Sequence, residues 1–217
     1  EGELVEVSAQ APFLLDNPEF CYFVVTGGLL IFTVPLEKGQ PAGIRTHFLG
    51  VLPGQAAFGF DLSSHATGFL AVGRPGTTVR RIPLGRMREL AAQPAKSGVV
   101  AAAIDTWIAG LSKSLVRDFN PQPRTELKLT AGQTVTLKAD QHTTSAEGVL
   151  WIDIASRGVL FDQLATPDFA RRTAPFPVTP HSWIQASSAE FGDTVVKPAP
   201  TTAIVGHPDL WYGLSVF

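Results

Sequence analysis

The feature that most constrains the fold is a change of hydrophobic period near residue 84 and its reversal near residue 126. On both sides, short apolar runs alternate with turns rich in glycine and proline; between them, apolar residues recur at steps of three and four. The 20 glycines and 17 prolines are spread along the chain rather than clustered, which is the punctuation of many short strands. The pattern predicts a mainly β protein with one helical segment.

Residues 21–35 read CYFVVTGGLLIFTVP, two β-rich runs about Thr26-Gly27-Gly28, where Gly-Gly supplies the positive φ angles of a tight hairpin. Gly39 and Gly43 flank a second turn, 44–51 reads as a strand, and Leu52-Pro53-Gly54-Gln55 turns into 56–60. Residues 69–72 and 77–82, divided by Arg74-Pro75-Gly76, complete about six to eight strands spaced as in a small sandwich or rolled barrel.

Leu84, Met87, Leu90 and Ala91 then fall at helical spacing until Pro94. A longer stripe follows in Val100, Ile104, Trp107, Ile108, Leu111 and Leu115, with Ser97 as a cap and Asn120-Pro121 as a stop. Lys113 and Arg117 suit the carboxyl end of a helix. From Glu126 the period of two returns, with a turn at Ala131-Gly132-Gln133. Residues 149–154 and 158–161 resemble a hairpin turning at Ala155-Ser156-Arg157. A polar, proline-rich loop over 166–180 precedes runs at 182–187, 191–197 and 201–205 that read as strands.

The two β portions share a layout. The runs about Gly27-Gly28 parallel those from Leu150 to Phe161, and Leu52-Pro53-Gly54-Gln55 with its following strand parallels Val178-Thr179-Pro180-His181 with Trp183-Ile184. This predicts a degenerate duplication of a jelly-roll-type unit. The reading is two cupin-like or cyclic-nucleotide-binding-like β-rolls joined by helices: 1–83, a helical bridge over 84–121, and 122–217.

With 45% hydrophobic and 17% charged residues, a chain of this length has ample material for a core, which argues against disorder. A formal charge of −2 and a pI near 6.2 give no general attraction to nucleic acid or anionic lipid. The single cysteine, Cys21, excludes a disulfide framework and a four-Cys zinc site. Uninterrupted apolar runs fall short of the ~20 residues of a bilayer span, so no membrane insertion of this chain is predicted. The chain starts without Met or a secretory pattern and stops at Trp211-Tyr212-Gly213-Leu214-Ser215-Val216-Phe217. That apolar run reads as a surface meant for something beyond it, and the chain as a piece of a longer intracellular protein. The alternative is a terminal element docked on its own core.

A β-roll followed by helices resembles the cyclic-nucleotide-binding domain family, with Val51-Leu52-Pro53-Gly54-Gln55-Ala56-Ala57-Phe58-Gly59 at the approach to its phosphate-binding cassette. The family's Phe-Gly-Glu triplet, whose carboxylate holds the ribose hydroxyl, is Phe58-Gly59-Phe60 here, with Asp61 one position later. Its phosphate-binding arginine falls on the apolar Gly68-Phe69-Leu70-Ala71, and Arg74 lies on a turn. A phosphate buried there without a cation would be strongly unfavourable. The resemblance therefore implies a degenerate ligand site at Phe58, Gly59, Phe60 and Asp61.

The order of features along nearly the whole chain is similar to the N-terminal region of an ABC exporter subunit of NHLM-type peptide-secretion systems, which export precursors with nitrile-hydratase-like leaders. The features are Pro12-Phe13-Leu14-Leu15-Asp16-Asn17-Pro18, Val24-Val25-Thr26-Gly27-Gly28, Gln55-Ala56-Ala57-Phe58-Gly59-Phe60-Asp61, Leu70-Ala71-Val72-Gly73-Arg74-Pro75-Gly76-Thr77, Pro177-Val178-Thr179-Pro180-His181-Ser182-Trp183 and Leu210-Trp211-Tyr212-Gly213-Leu214. The resemblance implies a non-catalytic regulatory, docking or substrate-recognition domain, cytoplasmic and held at the inner membrane by its parent. The implied partners are the rest of the exporter chain and a leader peptide, with no cofactor and no nucleic acid. Trp107, Leu111 and Leu115 would then form the core of the bridge or an interface, including that of a homodimer. No phosphate-loop motif occurs in these 217 residues.

Two other classes of function compete. One is a small-ligand sensor whose pocket Phe60 has made apolar; the other is a cupin-like enzyme. The latter needs converging metal ligands, whereas His47, His65, His142, His181 and His207 each stand alone, with only Glu147 near His142. Cys21 lies among aromatic residues and reads as a buried structural thiol. Ser63-Ser64-His65 lacks a nucleophile elbow and reads as a polar loop. Asp162, Asp168, Arg171 and Arg172 read as an exposed charged loop. Arg80, Arg81, Arg86 and Arg88 form the one local basic run, either a solvated face or a seat for an acidic leader peptide.

Overall fold

Both β portions obey one pairing rule in the computed structural model, which describes residues 2–62, 65–117, 124–138, 141–153, 158–160, 164–165, 174–186 and 193–216. The protein is mainly β with a helical segment, and its contacts divide it into two units, Glu1–Trp107 and Ile108–Phe217. That division falls inside a helix, whereas the sequence reading set the boundaries at 83/84 and 121/122.

The first unit carries strands β1 (Glu3–Val7), β2 (Phe13–Leu14), β3 (Phe20–Thr26), β4 (Leu29–Glu37), β5 (Gln40–Pro41), β6 (Thr46–Val51), β7 (Ala56–Phe58), β8 (Thr67–Gly73) and β9 (Thr77–Pro83). Helices α1 (Leu84–Ala91) and α2 (Pro94–Val116) follow. Leaving the two-residue β5 aside, the partners are nested from the outside inward: β1 with β9, β2 with β8, β3 with β7, and β4 with β6. Nested antiparallel pairing is what a long hairpin gives when it is rolled up. Added bonds between β3 and β9 and between β4 and β8 complete two sheets, β1-β9-β3-β7 and β2-β8-β4-β6. This is jelly-roll topology.

The roll corrects the hairpin expected at Gly27-Gly28. Consecutive β3 and β4 lie in opposite sheets and do not pair, so the glycines carry a crossing between sheets. Gly27 takes φ +73°, and a β-carbon there would overlap Thr77. The buried Thr77 clasps the next residue: Gly28 N–H donates to Thr77 Oγ1 (3.0 Å), and that hydroxyl donates to the Gly28 carbonyl (2.9 Å).

Residues Leu84, Met87 and Ala91 of α1 are buried, as their spacing implies. On α2 the buried face includes Val100, Ile104, Trp107, Ile108 and Leu111, while Val116 takes the fully covered place expected for the half-buried Leu115. Ser97 is no cap. The helix starts at Pro94, and the Ser97 hydroxyl bonds back to the Pro94 carbonyl. The stop expected at Asn120-Pro121 lies outside the described residues. By length and composition (23 residues, mean hydropathy 1.4 in its most apolar window), α2 could cross a membrane, which the interrupted apolar runs did not suggest. Its buried stripe is equally that of a core helix.

The second unit carries β10 (Leu127–Leu129), β11 (Val135–Leu137), β12 (Thr143–Ser145), β13 (Leu150–Ile152), β14 (Gly158–Leu160), β15 (Leu164–Ala165), β16 (Phe176–Val178), β17 (Ile184–Ala186), β18 (Thr194–Val196) and β19 (Ala199–Pro200), then α3 (Thr201–Ile204) and α4 (Pro208–Val216). The nesting recurs: β11 with β18, β12 with β17, β13 with β16, β14 with β15. Strand β19, two residues beyond β18, pairs with β13 where a continuous last strand would.

The expected hairpin of 149–154 with 158–161 is therefore another crossing: β13 pairs with β16 and β19, and β14 with β15 and β17. The expected loop over 166–180 contains β16, whose Pro177 is tolerated because the strand lies at a sheet edge. Residues 201–204 are helical rather than extended. Buried Thr201 opens α3 and accepts a hydrogen bond from Trp151 Nε1 at 2.8 Å. The terminal apolar run forms α4, with Leu210, Trp211 and Leu214 buried, and Trp211 Nε1 donates to the Val205 carbonyl at 3.0 Å. It is an element packed on its own unit, with Gly213 against the Pro175 carbonyl. A core of Leu129, Leu137, Leu150, Ile152, Phe176, Val178, Trp183, Ile184 and Val196 fills this roll.

Candidate functional site

The link from β7 to β8 is where the degenerate cassette was expected, and its position is fixed by backbone contacts. Gly59 N–H donates to the Phe20 carbonyl (3.1 Å) and Phe60 N–H to the Leu15 carbonyl (2.9 Å). A β-carbon on Gly59 would overlap the Asn17 carbonyl oxygen, so this close approach admits only glycine.

Held this way, the expected residues enter an aromatic chain. Phe60 lies 5.1 Å from Phe69 and 6.0 Å from Trp107, ring centroid to centroid. Phe48 extends the chain from Phe69 at 5.2 Å, and Phe58 from Trp107 at 6.4 Å. These separations and tilted planes are favourable for aromatic pairs. Phe58, Phe60 and Trp107 are thus brought together with Phe69, while Asp61 is exposed past the end of β7. In Gly68-Phe69-Leu70-Ala71, three residues are buried and only Phe69 is half-exposed. The sequence reading missed Phe69 and Trp107 as neighbours of Phe60, and Phe48 behind Phe69, because no spacing rule links residues from β6, β8 and α2. Leu111 and Leu115 belong to the other unit.

The inner face of the first roll opens elsewhere. Phe13 of β2 meets Tyr22 of β3 at 4.7 Å, bridging the two sheets. Val5, Val79 and Arg81 join them around an opening of about 390 Å³. The Arg81 guanidinium stacks 3.9 Å above the Phe20 ring and lies 3.6 Å from the Glu3 carboxylate. Burial raises the Tyr22 phenol above its ordinary pKa, and the nearby Arg81 charge opposes that rise.

The basic run does not form one patch. Registered pairs share a face, so Arg81 lies with Tyr22 while Arg80 lies with Phe23 on the opposite face of β9. Arg80 donates to the Gly2 carbonyl, Arg86 pairs with Glu89 on α1, and Arg88 is exposed.

Cys21 is fully buried, and burial pushes its thiol up to about 12, the environment of an unreactive cysteine. His142 Nε2 lies 3.2 Å from Gln185 Nε2, and Glu147 is exposed. Among the described residues no group of three or more His, Cys, Asp or Glu is placed to hold a metal. His65 is exposed; Ser63, Ser64, Asp162, Asp168, Arg171 and Arg172 lie outside the described residues.

The pairing defines a tandem of jelly rolls, each followed by helices. No protein-family model matches the chain. No curated protein matches it either.

Proposed function

We propose that this chain is a non-catalytic accessory domain, for docking, regulation or substrate recognition, of a bacterial ABC exporter of leader-bearing ribosomal peptides. One observation carries the non-nucleotide part of this reading. Phe58, Phe60, Phe69 and Trp107 form a chain of packed rings about the link that the resemblance makes the cassette, where a cyclic nucleotide would need a carboxylate and a guanidinium. Each missing charged hydrogen bond removes about 1.5–3 kcal/mol. Losing both takes a micromolar site to about the millimolar range. The exporter context rests on the order of features along the chain.

Calorimetric titration with cyclic AMP and cyclic GMP is expected to give no heat of binding, and micromolar affinity for either overturns the assignment of the pocket. Reading the gene past the codon for Phe217 tests the context. A membrane-spanning segment followed by a phosphate-loop motif is expected; a stop codon or an unrelated domain overturns it.

The second reading, a sensor of a small apolar ligand, is favoured by the opening among Val5, Phe13, Tyr22 and Val79. Binding of an apolar dye, abolished by Val5→Arg at a partly exposed residue of the lining, would select it.

A further inference from the structure

On the face of the first roll opposite Arg81, α1 and the start of α2 leave an open groove of about 420 Å³ against strands β3 and β9. Its floor is Phe23 and Ile82 from the sheet, and its walls include Met87 and Leu90 of α1 and Val99 and Val100 of α2. Val99 is 62% exposed and adds apolar surface to the wall on α2. Leu4, 57% exposed, lies opposite Arg80 on the same face of the sheet, beyond the lining of the groove. The charged residues lining the groove are Arg80, Arg86 and Lys96; Arg86 is ion-paired with Glu89 on α1, so Arg80 and Lys96 supply the net positive charge of the rim.

We propose that this groove docks an amphipathic helical peptide segment with acidic flanks. Two features of the groove choose that occupant. The apolar floor lies between a sheet and a helical wall, and its volume holds two or three large side chains, the anchors that one helix face offers at steps of three and four. The net positive rim, carried by Arg80 and Lys96, is complementary to Asp and Glu beside those anchors and disfavours a basic segment. A flat anionic membrane would leave this concave floor unfilled. The inference deepens the docking reading above by naming the partner's chemistry. It is separable from it, because neither the nucleotide titration nor the gene context involves groove residues.

The probe is a stapled, fluorescein-labelled peptide of about 15 residues, with Leu at i, i+4 and i+7 and Glu beside them; the staple removes the helix-nucleation cost. Anisotropy against the full 217-residue chain reads the affinity. Saturable binding is expected, weakened about ten-fold or more when the Glu residues become Lys, and by similar factors in Val99→Asp and Lys96→Glu. Both substituted residues are exposed, so these variants should fold, and an unchanged melting curve checks that they do. No binding of the acidic peptide, equal binding of its Lys counterpart, or indifference to both substitutions overturns the proposal. So does stoichiometric competition by dodecanoate, which assigns the groove to a small amphiphile. Binding to phosphatidylserine vesicles that Val99→Asp and Lys96→Glu abolish also overturns it, by assigning the groove to a membrane surface.

Discussion

Replacing Thr77 with Val keeps the shape of the side chain and removes the hydroxyl that joins the end of one sheet to the start of the other. The Thr77 hydroxyl both accepts from Gly28 N–H and donates to the Gly28 carbonyl, and Gly28 and Thr77 are both buried. In the variant the carbonyl keeps its bond from Arg74 N–H at 3.0 Å, but the Gly28 N–H loses its partner. A stranded buried donor costs about 1–3 kcal/mol, and loss of the second bond adds about 0.5–1.5 kcal/mol. The sum, about 1.5–4.5 kcal/mol, is large against a typical stability of about 5–15 kcal/mol. Urea unfolding gives the loss, and amide exchange at Gly28 locates it: protection there should fall further than at Val79 in the middle of β9. Thr77→Ser restores the oxygen and should cost less than about 1 kcal/mol. Should Thr77→Val unfold within about 0.5 kcal/mol of the parent with Gly28 still protected, the clasp does not hold the crossing.

Trp107 is 3% exposed and touches Phe58 and Phe60, so Trp107→Ala should cost about 3–5 kcal/mol in a denaturant melt, and a loss under about 1 kcal/mol would refute its core role. Cys21 gives a pH dependence: its thiol is raised from 9.0 to about 12 by burial, so it stays protonated in the folded state while the unfolded chain ionises. Its contribution is complete below pH 9.0 and is lost as pH rises toward about 12, at up to about 1.4 kcal/mol per pH unit. Comparing urea stability at pH 8 and pH 10, the parent should lose about 1 kcal/mol more than Cys21→Val; equal losses would show that the thiol is not desolvated.

What the sequence made legible was local period, and what it hid was which sheet each strand joins. The runs in β3, β4, β8 and β9 and the stripe from Val100 to Leu111 are visible because apolar residues recur with the period of their element. Both expected hairpins failed for one reason. Gly27-Gly28 supplies a tight reversal, but whether that reversal makes a hairpin or a crossing depends on β9 and β7 flanking β3, residues far along the chain. Strand β12 escaped because Thr143, Thr144 and Ser145 are buried hydroxyl residues, which a search for apolar alternation passes over. That Arg80 and Arg81 face opposite sides follows from their adjacency on a strand, and the aromatic chain was hidden because its members come from separated elements.

The recurrence of nested pairing bears on the candidate site as well as on the fold. In each unit the last strand runs directly into a helix after a proline, Pro83 before Leu84 and Pro200 before Thr201, and the next helix opens on Pro94 or Pro208. The pairing also moves one of the expected parallels. Thr179-Pro180-His181 follows Val178, the end of β16, in the link to β17, which corresponds to the link from β7 to β8 and not to Leu52-Pro53-Gly54-Gln55. The counterpart of Gly59-Phe60-Asp61 is therefore a turn in which Thr179 N–H donates to Ser182 Oγ at 2.8 Å and His181 N–H to Thr179 Oγ1 at 3.1 Å. Thr179 and Ser182 are fully buried, and the adjoining Trp183 and Ile184 belong to the core of that roll. The corresponding links have thus been closed by different chemistry, stacked rings in one roll and mutually bonded hydroxyls in the other. Among the described residues of these links, neither presents a buried cation to a phosphate. A nucleotide would have to displace packed aromatic surface in the first roll or break satisfied buried hydrogen bonds in the second, and both are costly. The groove beside α1 asks for no such rearrangement, because its floor is already open and its rim is already charged.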